Sequence, residues 1–224
     1  MTFSIVARSA DARLFGMAIA SSSPAVAARC VHARAGIGVV ASQNITDPSL
    51  GPAILDALGK GVSAAEALAR VVGSSRNAEF RQVLALGSSG PPVLHSGRHA
   101  LGVVGGALGA DAAAAGNLLA NPDVPRAMVD AFTAAEGHLA ARLMAALRAG
   151  AAQGGEAGPV HSAGLLVVRE VSWPIVDLRV DWAQSNPIGA LTSLWELYAP
   201  QLEDYVRRAL DPGAAPSFGV PGNP

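Results

Sequence analysis

The chain opens MTFSIVAR (1–8), an alternating, strand-like run that starts directly behind Met1. LFGMAIAS (14–21) is a second run of the same kind. The polar pentapeptide SADAR between them is short enough for a turn, so the two predict a hairpin. The run poses a chemical question as well. Thr2 is either the first residue of a strand or a nucleophile exposed when Met1 is removed.

Further strands and helices follow in sequence. RCVHARAGIGVVASQ (29–43) predicts a second hairpin turning at Ala35-Gly36. Residues 48–60 predict a helix capped by Asp47 and stopped by Gly61. Ser63-Ala-Ala-Glu66 is a capping box that opens another helix. RQVLALG (81–87) and PVLHSG (92–97) read as strands. Residues 100–120 hold Asp111, Asn117 and several glycines among apolar residues, which reads as buried small-residue packing around loops rather than a membrane span. Residues 123–137 and 138–152 have apolar residues at helical spacing. SAGLLVVREV (162–171) and PIVDLRVDW (174–182) predict a third hairpin. Residues 190–210 predict a helix that Pro200 divides. Strands that come in hairpins and helices that come in pairs predict a layered α+β domain, not a Rossmann series.

Half of the residues are hydrophobic and 15% charged, enough apolar material for a sizeable core. The expected organisation is one domain over 1–210, with 211–224 as an extended Pro/Gly-rich tail that could clasp a second subunit. A net charge of −1 without a Lys/Arg block argues against nucleic acid as a partner. The single cysteine, Cys30, leaves neither a disulfide framework nor a multi-cysteine zinc site. No basic segment followed by an apolar run is seen at the start, so the expected location is the cytoplasm. No metal or organic cofactor is implied, and GVVGGALG (102–109) fits neither nucleotide-binding loop.

Thr2 remains as the candidate nucleophile. A threonine hydroxyl is weak without a base, and the free α-amine of an N-terminal threonine supplies one. Ser22, in Ser21-Ser22-Ser23 at the end of the second strand, belongs to a group of hydroxyls placed to orient that amine. Gln43 and Asn44 end the fourth strand, where N–H groups would stabilise an oxyanion. Arg81 can grip a carboxylate bidentately, and Asn117 interrupts an apolar region with an amide that needs partners. Glu156 and His161 flank a Gly/Pro loop, and His161 is a candidate acid or base. His32 shares a strand with Cys30. Asp177, Arg179 and Asp181 alternate on one strand and read as a structural ion-pair ladder.

That order resembles the N-terminal-nucleophile (Ntn) hydrolases such as the proteasome β subunits, without their acid after strand two or their lysine on strand three. A second resemblance covers nearly the whole chain. MTFSIVAR, GMAIASSS, HARAGIGVVASQN, EFRQV, GNLLA, RLMAALRAGAAQGGE, HSAGLLVV and VDLRVD, in this order, resemble the domain-of-unknown-function family 1028. The resemblance implies an Ntn-hydrolase-like, four-layer αββα sandwich. The chain departs from the family pattern at GGEAGPVHSAG, where Glu156 stands for an Asp and Gly158-Pro159 take a basic position. It departs again where Trp182 replaces an Asp.

The expected function is hydrolysis of a non-peptide amide, imide or related C–N bond in a small, carboxylate-bearing metabolite, by a homo-oligomer that needs neither membrane nor nucleic acid. Thr2, Ser22, His32, Asn44 and His161 are the catalytic candidates. Gln43, Arg81, Asn117 and Glu156 are the substrate-binding ones. One alternative keeps Met1 and places catalysis on His32, Glu156 and His161. Another is a non-catalytic ligand-binding or assembly protein.

Overall fold

The computed structural model describes residues 1–216. Strands β1 (Thr2–Arg8) and β2 (Phe15–Ser21) form the expected hairpin, and Phe3 pairs with Ala20. A short helix α1 (Val26–Cys30) leads to β3 (Val31–Arg34) and β4 (Gly38–Asn44). Helices α2 (Leu50–Gly59) and α3 (Ala64–Ser74) precede β5 (Arg81–Gly87) and β6 (Val93–Ser96). Strands β7 (Gly105–Leu108) and β8 (Ala112–Asn117) follow, then α4 (Val124–Ala134) and α5 (Leu139–Ala152). The chain continues through β9 (Ser162–Val168), β10 (Val176–Val180), α6 (Pro187–Tyr198) and α7 (Leu202–Leu210).

The strands form two antiparallel sheets, one of order β10-β9-β2-β1-β8-β7 and one of order β3-β4-β5-β6. Their inner faces meet in a core of Val6, Met17, Ile19, Val39, Leu84, Leu86 and Ala113. Helices α4 to α7 pack on the outer face of the larger sheet through Phe3, Ile5, Met128, Leu143 and Leu191. Helices α2 and α3 cover the smaller sheet through Val40, Ile54, Leu68 and Val83. The result is a four-layer αββα sandwich. Burying side chains the size of Phe3 or Ile5 stabilises it by about 1.5–3 kcal/mol each.

Period-two alternation decides where β1 points its side chains. Phe3, Ile5 and Ala7 join the helix-side core, whereas Val6 joins the inter-sheet core. Ser4 donates to Gln43 of the opposite sheet. Thr2 therefore stands at the mouth of the space between the sheets, on the strand with β2 on one side and β8 on the other.

Two sequence expectations need correction. Residues 100–120 are not only loop packing. They contain the β7–β8 hairpin, and β8 pairs with β1 from Thr2↔Asn117 to Ala7↔Ala112. AAAAGN hides this because alanine is a poor strand former and both of its faces are buried, so polar alternation is missing. Residues 29–43 are not hairpin throughout. Ala25 adopts a left-handed φ of 49° and starts α1. Gly164 admits that helix, since a Cβ there would lie 2.5 Å from the Ala27 methyl.

Caps differ in detail. Ser63 accepts from the Glu66 N–H as expected, but the Glu66 side chain pairs with Arg70 instead of reaching back. Asp47 is not the residue that caps α2. Its carboxylate accepts from the Ser49 N–H (3.0 Å) and Ser49 hydroxyl (2.6 Å) in the turn just before the helix. Of the expected tail, Pro212–Ala214 form a single 3-10 turn, and residues from 217 onward lie outside the described residues.

Candidate active site

Thr2 is 6% exposed, and Ser21 is fully buried at the adjacent end of β2. Their hydroxyl oxygens are 3.3 Å apart. Both donate to the Met1 carbonyl oxygen, and the Ser21 oxygen also accepts from the Ser23 N–H at 3.1 Å. Two hydroxyls from neighbouring strands thus converge on one carbonyl oxygen at the start of the chain.

Inward from Thr2 runs a buried chain of amides. Asn117, opposite Thr2 on β8, donates to Gln82 Oε1 at 3.2 Å, and Gln43 Nε2 reaches the same oxygen at 2.8 Å. Ser4 donates to Gln43 Oε1 at 2.6 Å. Gln82 Nε2 donates to Ser96 Oγ at 3.0 Å and to the Gly116 carbonyl at 3.1 Å. Polar groups in such a place must be paired, and these are. The network ties the two sheets together beneath Thr2. Sequence reading picked out Gln43 and Asn117 but missed Ser4 and Gln82. The signal was their parity: each lies two residues before an inner-core position, Val6 and Leu84.

Glu156 enters from the loop before β9, bridged by its backbone to Leu119. It is 5% exposed, and neither carboxylate oxygen reaches a partner at hydrogen-bonding geometry. Loss of solvent raises its pKa to about 7. The Met1 ammonium and the hydroxyl and N–H of Ser22 oppose that rise without cancelling it. Gly158, in the same loop, lies against the methionine itself, since a Cβ there would come within 2.9 Å of Met1 Cε.

The structure brings Thr2, Ser22, Gln43, Asn117 and Glu156 to this end of the inter-sheet space, and it keeps other candidates apart. His32 points to the outer face of its sheet, where its ring lies under Gly51 of α2. Burial lowers its pKa, and its Nε2 has no partner. Arg81 also has outward parity and donates to the Ile45 carbonyl. Asn44 ends β4 opposite Arg81. It has a left-handed φ of 73°, donates to the Phe80 carbonyl, and accepts from the Leu101 N–H at 3.2 Å. His161 is joined to Ser21 through its backbone N–H at 2.9 Å. Its ring Nδ1 lies 2.8 Å from the Ala183 carbonyl, and the ring stacks on Trp182 at 4.4 Å. Cys30 is buried beside Thr46 Oγ1, and burial pushes its thiol up. Asp177 and Arg179 form the expected ion pair with two hydrogen bonds of 2.8 and 3.0 Å.

No group of three or more His, Cys, Asp or Glu among the described residues is arranged to hold a metal. No helix among them is long and apolar enough to cross a membrane. Two open concavities of about 510 and 530 Å³ occur elsewhere, and neither is lined by Thr2, Ser21 or Glu156.

A family model described as "Family of unknown function (DUF1028)" matches residues 2–191. The chain belongs to DUF1028. Both the β1 strand and the Glu156 loop fall within the matched part. The solved DUF1028 protein SPO2555 from Silicibacter pomeroyi is 29% identical, with a TM-score of 0.84 over 92% of this chain and 94% of that one. Anbu (ancestral beta-subunit) from Yersinia bercovieri is 10% identical, with a TM-score of 0.40 over 91% and 97%. No curated protein matches the chain.

Proposed function

We propose that this DUF1028 member is an Ntn-type hydrolase of a non-peptide amide, imide or related C–N bond, with Thr2 as nucleophile once Met1 has been removed. The observation that carries the reading is the convergence of the Thr2 and Ser21 hydroxyls on one carbonyl oxygen. A site that already holds a carbonyl between a candidate nucleophile and a hydroxyl donor has the parts that acyl transfer needs.

In this reading the freed Thr2 amine takes the proton from Oγ, and Oγ attacks the substrate carbonyl carbon. Ser21 donates to the developing oxyanion. The C–N bond then breaks, the leaving nitrogen takes the proton back from the amine, and water hydrolyses the Thr2 ester with the amine again as base. Gln43, Gln82 and Asn117 position β1 and β8 rather than touch the reacting atoms. Arg81, the candidate grip for a substrate carboxylate, donates to the Ile45 carbonyl on the outer side of the small sheet and has no part in these steps.

Intact-mass measurement of Met1 removal, combined with turnover of a panel of small amides and imides, tests the reading. Thr2→Ala should abolish turnover while Thr2→Ser retains part of it. Full activity in Thr2→Ala would sink it. A second reading has one specific observation behind it. With Met1 retained, the Glu156 carboxyl, held near neutral pKa, would be the remaining acid or base at this end of the sandwich. Turnover by a protein of unprocessed mass, lost in Glu156→Gln, would favour it.

A further inference from the structure

Met1 is half-buried at the start of β1, and each part of the residue meets a different group. Its carbonyl oxygen lies on the Thr2 and Ser21 hydroxyls. Its thioether end lies along Gly158. Its ammonium is the one charge among the described residues that acts appreciably on Glu156. Glu156 is a buried carboxylate whose oxygens reach no partner at hydrogen-bonding geometry, and besides Met1 only the hydroxyl and N–H of Ser22 offset its burial. A buried carboxylate so weakly compensated is costly. A cation arriving beside it would supply the missing partner.

We propose that the space Met1 occupies is a subsite for an α-aminoacyl group. The α-ammonium would lie on Glu156 and Ser22, an unbranched apolar side chain along Gly158, and the carbonyl at Thr2 and Ser21. The substrate class is therefore amides of α-amino acids or close analogues that keep a free amine. The proposal rests on the reading that Met1 leaves, and it deepens that reading by reversing the charge expected of the substrate. The chain itself displays the fit, because Met1 is an aminoacyl group bonded to the Thr2 nitrogen. Moving that acyl carbon from the nitrogen to the neighbouring Oγ leaves the rest of the group in the same surroundings.

Gly158 sets the side-chain preference. Its φ lies outside the left-handed region and Pro159 follows, so an extended β-branched residue is conformationally allowed there. A Cβ there would meet only the end of the Met1 side chain, not backbone. Gly158→Val should therefore fold, and it should shorten the subsite.

The test uses full-length Thr2→Ala protein shown by intact mass to lack Met1, with L-methioninamide as the probe in titration calorimetry at pH 7.5. One-to-one binding is expected, with N-acetyl-L-methioninamide at least about tenfold weaker because it lacks the cation. Glu156→Gln should weaken the amine about tenfold or more and leave the acetylated form alone. Gly158→Val should weaken methioninamide but not glycinamide. Equal binding of free and acetylated forms, or no binding of either, overturns the subsite. Turnover of other amides by wild type, without methioninamide binding, would overturn the subsite and leave the Thr2 reading standing. Methioninamide binding without turnover by Met1-free wild type would do the reverse.

Discussion

Thr2 Oγ1 and Ser21 Oγ face each other at 3.3 Å across the β1–β2 hairpin, and both bind the Met1 carbonyl. The arrangement gives the two hydroxyls different duties. Ser21 is fully buried and held by the Ser23 N–H, so it is a fixed donor. Under the proposed reading, loss of Met1 would free Thr2.

Ser21→Ala should therefore lower kcat about 10²-fold with little change in KM, as expected for a donor used mainly in the transition state. The comparison is steady-state kinetics of wild type and variant on whichever amide the wild type turns over. A loss confined to KM would assign Ser21 to ground-state binding instead.

Glu156 makes stability depend on pH in a stated direction. In the chain that keeps Met1, its folded pKa of about 7 lies above the ordinary 4.5. Below pH 4.5 the carboxyl is protonated in both folded and unfolded states and costs nothing. Between these values the folded protein keeps a proton that the unfolded chain has lost, so stability falls as pH rises. Above pH 7 the full penalty applies, on the order of 3 kcal/mol. Glu156→Gln should remove it, stabilising the fold at pH 8 and losing most of that advantage by pH 5. Urea unfolding at the two pH values checks this, and an equal gain at both would be inconsistent with a titrating cause. A residue whose neutral isostere stabilises the fold is kept for another reason, in accord with a binding role.

Gln82 is the hub of the inter-sheet network, accepting from Gln43 and Asn117 and donating to Ser96 and the Gly116 carbonyl. Gln82→Leu would leave the buried Asn117 amide without its acceptor and Gln43 Nε2 with only the Ala115 carbonyl at 3.3 Å. A loss of about 2–4 kcal/mol is expected, more than the net worth of one hydrogen bond, because the orphaned amide stays desolvated. Chemical denaturation measures it. A cost below about 1 kcal/mol would mean that water enters the network.

Much of this was legible in the sequence, for reasons that differ by element. The β1–β2 hairpin was readable because MTFSIVAR and LFGMAIAS flank a short polar turn. The split of the last helix was readable because Pro200 cannot donate within it. The β7–β8 hairpin was not, since Ala112 to Ala115 are buried on both faces and carry no alternation. At the site, Thr2, Gln43, Asn117 and Glu156 could be singled out by type and position. The face of a strand was harder. The chemistry of His32 and Arg81 suits a site, yet parity sends both outward. Parity with Leu84 puts Gln82, rather than its neighbour Arg81, on the inter-sheet face, but which face of β5 is the inner one depends on long-range pairing. The lack of a partner for Glu156 is a tertiary fact with no local signature.

The outward face of His32 is open to a direct test. A Cβ on Gly51 would lie 2.1 Å from His32 Cδ2 and 2.2 Å from Cγ, so α2 can cross β3 only because residue 51 is glycine. Gly51→Ala should destabilise the fold by about 1–3 kcal/mol through overpacking, even though alanine is the better helix former. In a His32→Ala background the ring is absent, and the same substitution should be nearly neutral or stabilising. The double-mutant cycle then gives a coupling of about 1–3 kcal/mol. Turnover per folded molecule should be unchanged in all three variants, because His32 and Thr2 lie on opposite faces of the small sheet. Additive stability costs would contradict the packing. Loss of turnover in well-folded His32→Ala would return this histidine to the chemistry.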